Sequence, residues 1–320
     1  MEDVTWYDIF VENLYKKYPK KTHLVQALIN LLGIEREAVY RRLRKEVMFS
    51  IAEVVKISSA WNISLDEIIG INPGQVFFQM RQMNYLIPQE EEINFLRYVI
   101  KSIDALKDSP DTEFMDICNK LPRQLVAGYE YLNQFLLFKW TYQYSTDNEV
   151  IPFSKIIISE EKRQLTKEYY QAIKQVPNTS FIWDRRVFEY LVNDIQYFCS
   201  IYLITKEEKE LIKKDLLDLL DYMLEVANKG RYPETQNKVT LYLSQINVDT
   251  TYSYTFTTEA NICYIHVFEK YELYSFHSEM VANFKTWMQL KKRTSIQISE
   301  VDERSRIEFF TQQRQLVERL

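Results

Sequence analysis

The residue types that usually carry catalysis are sparse in this chain, and one group of cations is dense. Its three histidines, His23, His266 and His277, and its three cysteines, Cys118, Cys199 and Cys263, are scattered. The only close pair is Cys263-x-x-His266, inside the alternating stretch Ile262-Cys263-Tyr264-Ile265-His266-Val267-Phe268. Positions three apart on a strand point to opposite faces, and a structural zinc site takes about four ligands, so no metal is expected. There is no glycine-rich phosphate loop, G-x-S-x-G elbow or H-E-x-x-H, motifs that would announce phosphate binding, a serine nucleophile or a zinc protease. The chain is therefore read as a non-enzyme without a cofactor. Asp184-Arg185-Arg186 and Lys291-Lys292-Arg293 read as solvated charged faces, and His277 as the cap of the helix after it. Cations concentrate instead between residues 20 and 45, where Lys20, Lys21, Arg36, Arg41, Arg42, Arg44 and Lys45 stand against only Glu35 and Glu37. A guanidinium fork matches two acceptors on a guanine edge, and cations neutralise phosphates. The chemistry implied is recognition of nucleic acid.

The elements that must position these groups are two short helices within Thr22–Glu46. Leu24, Ala27, Leu28 and Leu31 recur at three- and four-residue spacing, one apolar stripe of a first helix. Gly33 interrupts the pattern where a tight turn needs a positive φ. Ile34 then plugs the turn, and Val39 and Leu43 form the stripe of a second helix, which leaves Arg36, Tyr40, Arg41, Arg44 and Lys45 in water. A short basic helix held at an angle by a buried partner suits the DNA major groove.

This stretch resembles the helix-turn-helix of phage-repressor-type regulators, the Cro-like or XRE family. The likeness continues through Phe49–Ile69, with the ending Ile63-Ser64-Leu65-Asp66-Glu67-Ile68, and covers about residues 20 to 71. Two positions depart from the family pattern: Ile29 stands where a small alanine is usual, and Arg42 where an apolar residue is usual, with Leu43 taking over that packing. The resemblance implies a sequence-specific transcriptional regulator that contacts double-stranded DNA through Thr22, His23, Arg36, Glu37, Tyr40, Arg41, Arg44 and Lys45. It further implies a homodimer, with two recognition helices about 34 Å apart, and leaves room for a small-molecule or peptide effector. The alternative is a protein-interaction adaptor that keeps the bundle without binding DNA.

A net charge of −5 does not oppose this. Attraction to a duplex falls off within about 8 Å at physiological salt, so the local excess decides. The odd, widely spaced cysteines and the acidic N-terminus MEDVTWYDIF are read as a cytoplasmic protein without a signal peptide. No apolar run approaches the ~20 residues that span a bilayer, and no membrane partner is expected.

The fold class expected is mainly α: a five-helix Cro-like bundle over 1–72, an all-helical dimerisation or sensor region over 73–236, and a small α+β region over 237–320. The bundle opens with an amphipathic helix over 3–18 carrying Trp6, Ile9, Phe10, Asn13 and Leu14, and Asn72-Pro73-Gly74 closes it. Beyond it, helices are expected over 76–85, 89–107, 112–119, 122–144, 159–175, 183–202 and 205–230, the last opened by the capping box Thr205-x-x-Glu208 and stopped by Gly230. No 34-residue repeat is found. After Pro233, period-two alternation predicts strands over 238–243, 251–256 and 262–268, then a helix over 278–290, a strand over 294–298 and a helix over 302–320. The aromatic-rich helix around 129–144 suits either a core or a ligand pocket.

Overall fold

The computed structural model describes residues 5–61, 63, 65–68, 76, 78–80, 88–104, 107–144, 150–257, 261–268 and 271–320. The chain divides into two compact units, Met1–Phe77 and Phe78–Leu320. The expected boundary at Asn72-Pro73-Gly74 lies outside the described residues.

The first unit contains α1 (Trp6–Lys17), α2 (Lys21–Leu32), α3 (Arg36–Leu43), α4 (Ile51–Trp61) and α5 (Leu65–Ile68). Thr5 and Asp8 start α1 with a reciprocal capping box, each side chain accepting the other's backbone N–H. The core gathers Tyr7, Phe10 and Leu14 of α1, Leu24 and Leu28 of α2, Val39 and Leu43 of α3, and Phe49 and Ile57 beyond them. Each such side chain contributes about 1.5–3 kcal/mol by leaving water. The buried face of α1 is rotated from the expected one: Tyr7 and Val11 are inside, and Trp6 is exposed. The reason is the Tyr7 hydroxyl, which accepts the Phe49 N–H at 3.0 Å and reaches the Arg42 carbonyl at 3.1 Å, tying α1 to the turn after α3.

The second unit is built on a mixed sheet. Its elements are β1 (Gln79–Met80), α6 (Pro88–Asp104), β2 (Glu113–Cys118), α7 (Arg123–Val126), α8 (Glu130–Tyr144), α9 (Glu160–Ile173), β3 (Asn178–Trp183), α10 (Glu189–Ser200), α11 (Lys206–Lys229), β4 (Lys238–Ser244), β5 (Tyr252–Phe256), β6 (Asn261–Val267), β7 (Tyr271–Ser275), α12 (Ser278–Lys291), β8 (Ser295–Gln297) and α13 (Glu303–Glu318). The strand order is β1-β7-β6-β5-β2-β3-β4-β8. β2, β3 and β4 run parallel, joined by helical crossovers as parallel strands require, and the remaining pairs are antiparallel.

The region 73–236 is therefore not all-helical. The expected helix over 112–119 is the strand β2, and the expected helix from 183 begins only at Glu189, because Trp183 ends the strand β3. Both strands are covered on both faces, which erases the alternation that marks a half-buried strand. Phe181 and Trp183 join the core under α10, α11 and α13, while Met115, Ile117 and Ile182 join Val281, Phe284 and Met288 of α12 on the other side. Within the segment 76–85, Gln79–Met80 pairs with β7, a strand that sequence periodicity did not indicate. The segment 122–144 is two helices, broken at Gly128, where a Cβ would meet the Tyr170 ring at 2.6 Å. The seam expected at 236–237 separates nothing, since β3 and β4 pair along their length across it.

Candidate nucleic-acid interface

Gly33 caps α2 at φ +70°, its N–H donating to the Ile29 carbonyl at 2.9 Å. The chain then re-enters a helix at Arg36 and buries Val39 and Leu43. Leu43 takes the core position, as its spacing implies, and Arg42 instead lays its guanidinium on the Glu53 carboxylate, with Nε at 3.1 Å and Nη2 at 2.9 Å. That pair is half-buried and clamps α3 to α4. Burial raises the Glu53 carboxyl, but the hydrogen bonds from Arg42 and Ser50 and the Arg42 charge together outweigh it, and the group ends below its usual range.

Thr22, His23, Arg36, Glu37, Arg41, Arg44 and Lys45 are all exposed, and Tyr40 is half-exposed. Thr22 and His23 lie in the first turn of α2, where Lys20 provides no side-chain cap. Lys21 and Arg36 stand over the Tyr40 ring, at 5.5 and 5.9 Å from its centre, and have no ion-pair partner among the described residues. The cations after them are answered by acids. Arg44 reaches Glu46 at 2.6 Å and Glu37 at 2.8 Å, and these two carboxylates, Glu46 first, push its guanidinium further up. Arg41 lies 3.7 Å from Glu46, and Lys45 pairs with Asp8 of α1. The hydrogen bond from Lys45, with those from Thr5, pulls the Asp8 carboxyl well below its ordinary value.

Lys45 adopts φ +66° and closes α3, so that the Glu46 N–H donates back to the Arg41 carbonyl at 2.9 Å. This reversal swings the Glu46 side chain onto the basic face. The stretch 20–45 read alone carries no hint of Asp8, Glu46 or Glu53, because each arrives from another turn or helix. The pairs of Arg41, Arg44 and Lys45 stand at the surface, in water, so an incoming anion can exchange into them.

The remaining candidate residues fall elsewhere. His277 caps α12, accepting the Met280 N–H at 3.3 Å. Cys263 is buried under α12 while His266 is on the opposite face of β6, lining a cavity. No group of three or more His, Cys, Asp or Glu side chains able to hold a metal ion occurs among the described residues. The aromatic helix α8 divides its roles, with Phe135 and Phe138 in the core and Leu136, Lys139, Trp140 and Gln143 along that same cavity. No described helix is long and apolar enough to cross a membrane. Compared with protein-family models, curated proteins and solved structures, the chain matches none.

Proposed function

We propose that the chain is a sequence-specific DNA-binding regulator of Cro-like type, in which α3 enters the major groove. The observation that carries this reading is the outward guanidinium face of α3, behind a Gly33-hinged pair whose apolar stripes are buried. Arg36, Tyr40, Arg41 and Arg44 meet base edges and flanking phosphates, and Thr22, His23 and the open amides at the start of α2 hold a phosphate. Glu37 moves from Arg44 to a base-edge donor such as a cytosine amino group. Two copies related by a two-fold axis read two half-sites, and the second unit supplies dimerisation or effector sensing. The reading involves no catalytic step and no membrane.

The test is selection of duplexes from a random pool, followed by a gel shift of the winner with Arg41→Ala. The substitution removes an exposed side chain, so the fold stays, and specific binding is expected to fall by about 1–3 kcal/mol, the discrimination of one bidentate base contact. Undiminished sequence preference in the variant overturns the assignment. A second reading is favoured by a different observation: Val47, Met48, Ile51 and Val55 are exposed apolar side chains, Ile51 at 84%. Such clustering marks protein contact, and an adaptor role follows if residues 1–77 retain no duplex from the pool.

A further inference from the structure

The second unit encloses a cavity of about 530 Å³ between its sheet and helices α6 to α10. That volume lies within the ~300–1,000 Å³ range of small-molecule sites. The floor is one face of the sheet, where Asp116, Ser253, Tyr264 and Tyr274 are direct neighbours across β2, β5, β6 and β7. Phe95 and Tyr98 of α6, Trp140 of α8 and Tyr169 of α9 add aromatic walls. Rings standing around a void leave flat apolar faces for another ring to cover.

The charges around this space answer one another. Glu92, 4% exposed, takes Arg123 at 3.2 Å and also Lys162, which stands outside the lining. Asp194 holds Lys139 at 2.7 Å, and neither Lys120 nor Glu272 is free. Asp116 accepts from two neutral donors, Ser253 Oγ and Gln124 Nε2, both at 2.7 Å, and burial pushes its carboxyl up, towards the uncharged form. Burial chiefly, and then the fields of Lys120 and Arg123, pull the His266 imidazole down to about 4, so it is uncharged near neutral pH. An entering anion would have to draw Arg123 or Lys139 off its carboxylate. An entering ammonium would have to draw a carboxylate off its cation, or ionise Asp116 against its burial. Each leaves or makes an enclosed charge that is poorly compensated, which is costly. An uncharged molecule meets no such penalty.

Tyr169 offers that molecule a polar contact. It is 5% exposed and lines the cavity, and its hydroxyl makes no hydrogen bond among the described residues. Buried hydroxyls nearly always have a hydrogen-bond partner. Arg123, Glu272 and Asp116 reach this one only through their fields, which places it towards the polar end of the cavity.

We propose that the cavity binds an uncharged, flat, ring-containing molecule whose hydrogen-bond acceptor, such as a ketone oxygen, takes the Tyr169 hydroxyl. Its rings lie between α6, α8 and the Tyr264–Tyr274 floor. The aromatic walls supply most of the buried area and Tyr169 the orientation. The inference stands on the second unit alone and is independent of any role in DNA recognition.

The experiment is a calorimetric titration of the full chain with 2-acetylnaphthalene. Three molecules with the same rings are run beside it: 2-ethylnaphthalene, which lacks the acceptor, the anion 2-naphthoate and the cation 2-naphthylmethylammonium. Saturable binding of one ketone per chain is expected. The hydrocarbon should bind roughly 3- to 10-fold more weakly, as loss of one neutral hydrogen bond allows, and each ion more weakly by about 10-fold or more. Tyr169→Phe removes only an oxygen that holds no described partner, so the fold stays. It should bring the ketone down to the affinity of the hydrocarbon and leave the hydrocarbon unchanged. Val99→Trp, which places an indole on the α6 wall, should abolish binding of both while circular dichroism stays unchanged. If that variant unfolds, the Tyr169→Phe comparison still locates the site. Equal affinity for ketone and hydrocarbon, equal or tighter binding of either ion, or no saturable signal would each overturn the proposal. So would a ketone preference that survives Tyr169→Phe, or unchanged binding in a folded Val99→Trp chain.

Discussion

His266 and Arg42 look unremarkable as letters and acquire their roles only from what surrounds them. His266 is half-buried on β6, and burial with Lys120 and Arg123 holds its imidazole near 4 against 6.5 for the free side chain. Between these values the unfolded chain takes up a proton that the folded chain refuses. The stability contributed by neutral His266 is thus complete above pH 6.5 and is lost as the pH falls towards 4. Glu272 favours the charged form and trims the effect. Lowering the pH from 7 to 5 should cost the natural chain about 1–2 kcal/mol more in urea unfolding than the His266→Gln variant. Parallel pH profiles for the two would refute the assignment. Arg42 shows the same dependence on context: a basic letter in a basic run, it belongs to the α3–α4 clamp through Glu53 and not to the outer face.

Among the elements, the α2–α3 pair was the most legible. A glycine between two apolar stripes announces a turn, and Gly33 takes φ +70° with nothing within 4 Å of where a Cβ would be. Space is free there and conformation alone forbids a side chain. Gly33→Ala should therefore destabilise the first unit by about 1–2 kcal/mol, the cost of the left-handed region for an L-residue. A thermal melt followed by tryptophan fluorescence checks it, and no shift in midpoint would mean the turn relaxes. The strands β2 and β3 were illegible for the opposite reason. Met115 and Ile117 face α12 while Phe114 and Asp116 face the cavity, so apolar and polar letters follow no period of two. Helix α11 posed no such difficulty, since its capping box and Gly230 act within a few residues of its ends.

For the whole molecule, a net charge of −5 sits beside a local excess of cations on α2 and α3. Acids folded onto that face reduce the excess, and under the proposed reading Lys21, Arg36 and the exchangeable Arg41 and Arg44 are the cations that would meet phosphate. If these four release counterions, the logarithm of duplex affinity should fall with the logarithm of salt at a slope of roughly −3 to −4 per chain. A fluorescence-anisotropy titration from low to moderate salt measures it, and a flat line would remove the basic face from the interface. Under the proposed reading, the acidic remainder of the chain would repel duplex and hold down non-specific binding.

Sequence alone determined what nearest neighbours decide: the helix start at Thr205, the Gly33 turn, the alternating strands after Pro233, and the concentration of cations between 20 and 45. Hydrogen bonds and side-chain spacings over three to seven residues set these features, and such spacings are written directly in the letters. Tertiary structure decided the parallel centre of the sheet, the acids that answer the basic face of α3, and the cavity. Asp116 and Ser253 meet across 137 residues of chain, and Lys45 and Asp8 across 37. Contacts of that separation depend on how whole elements pack, which no local pattern encodes.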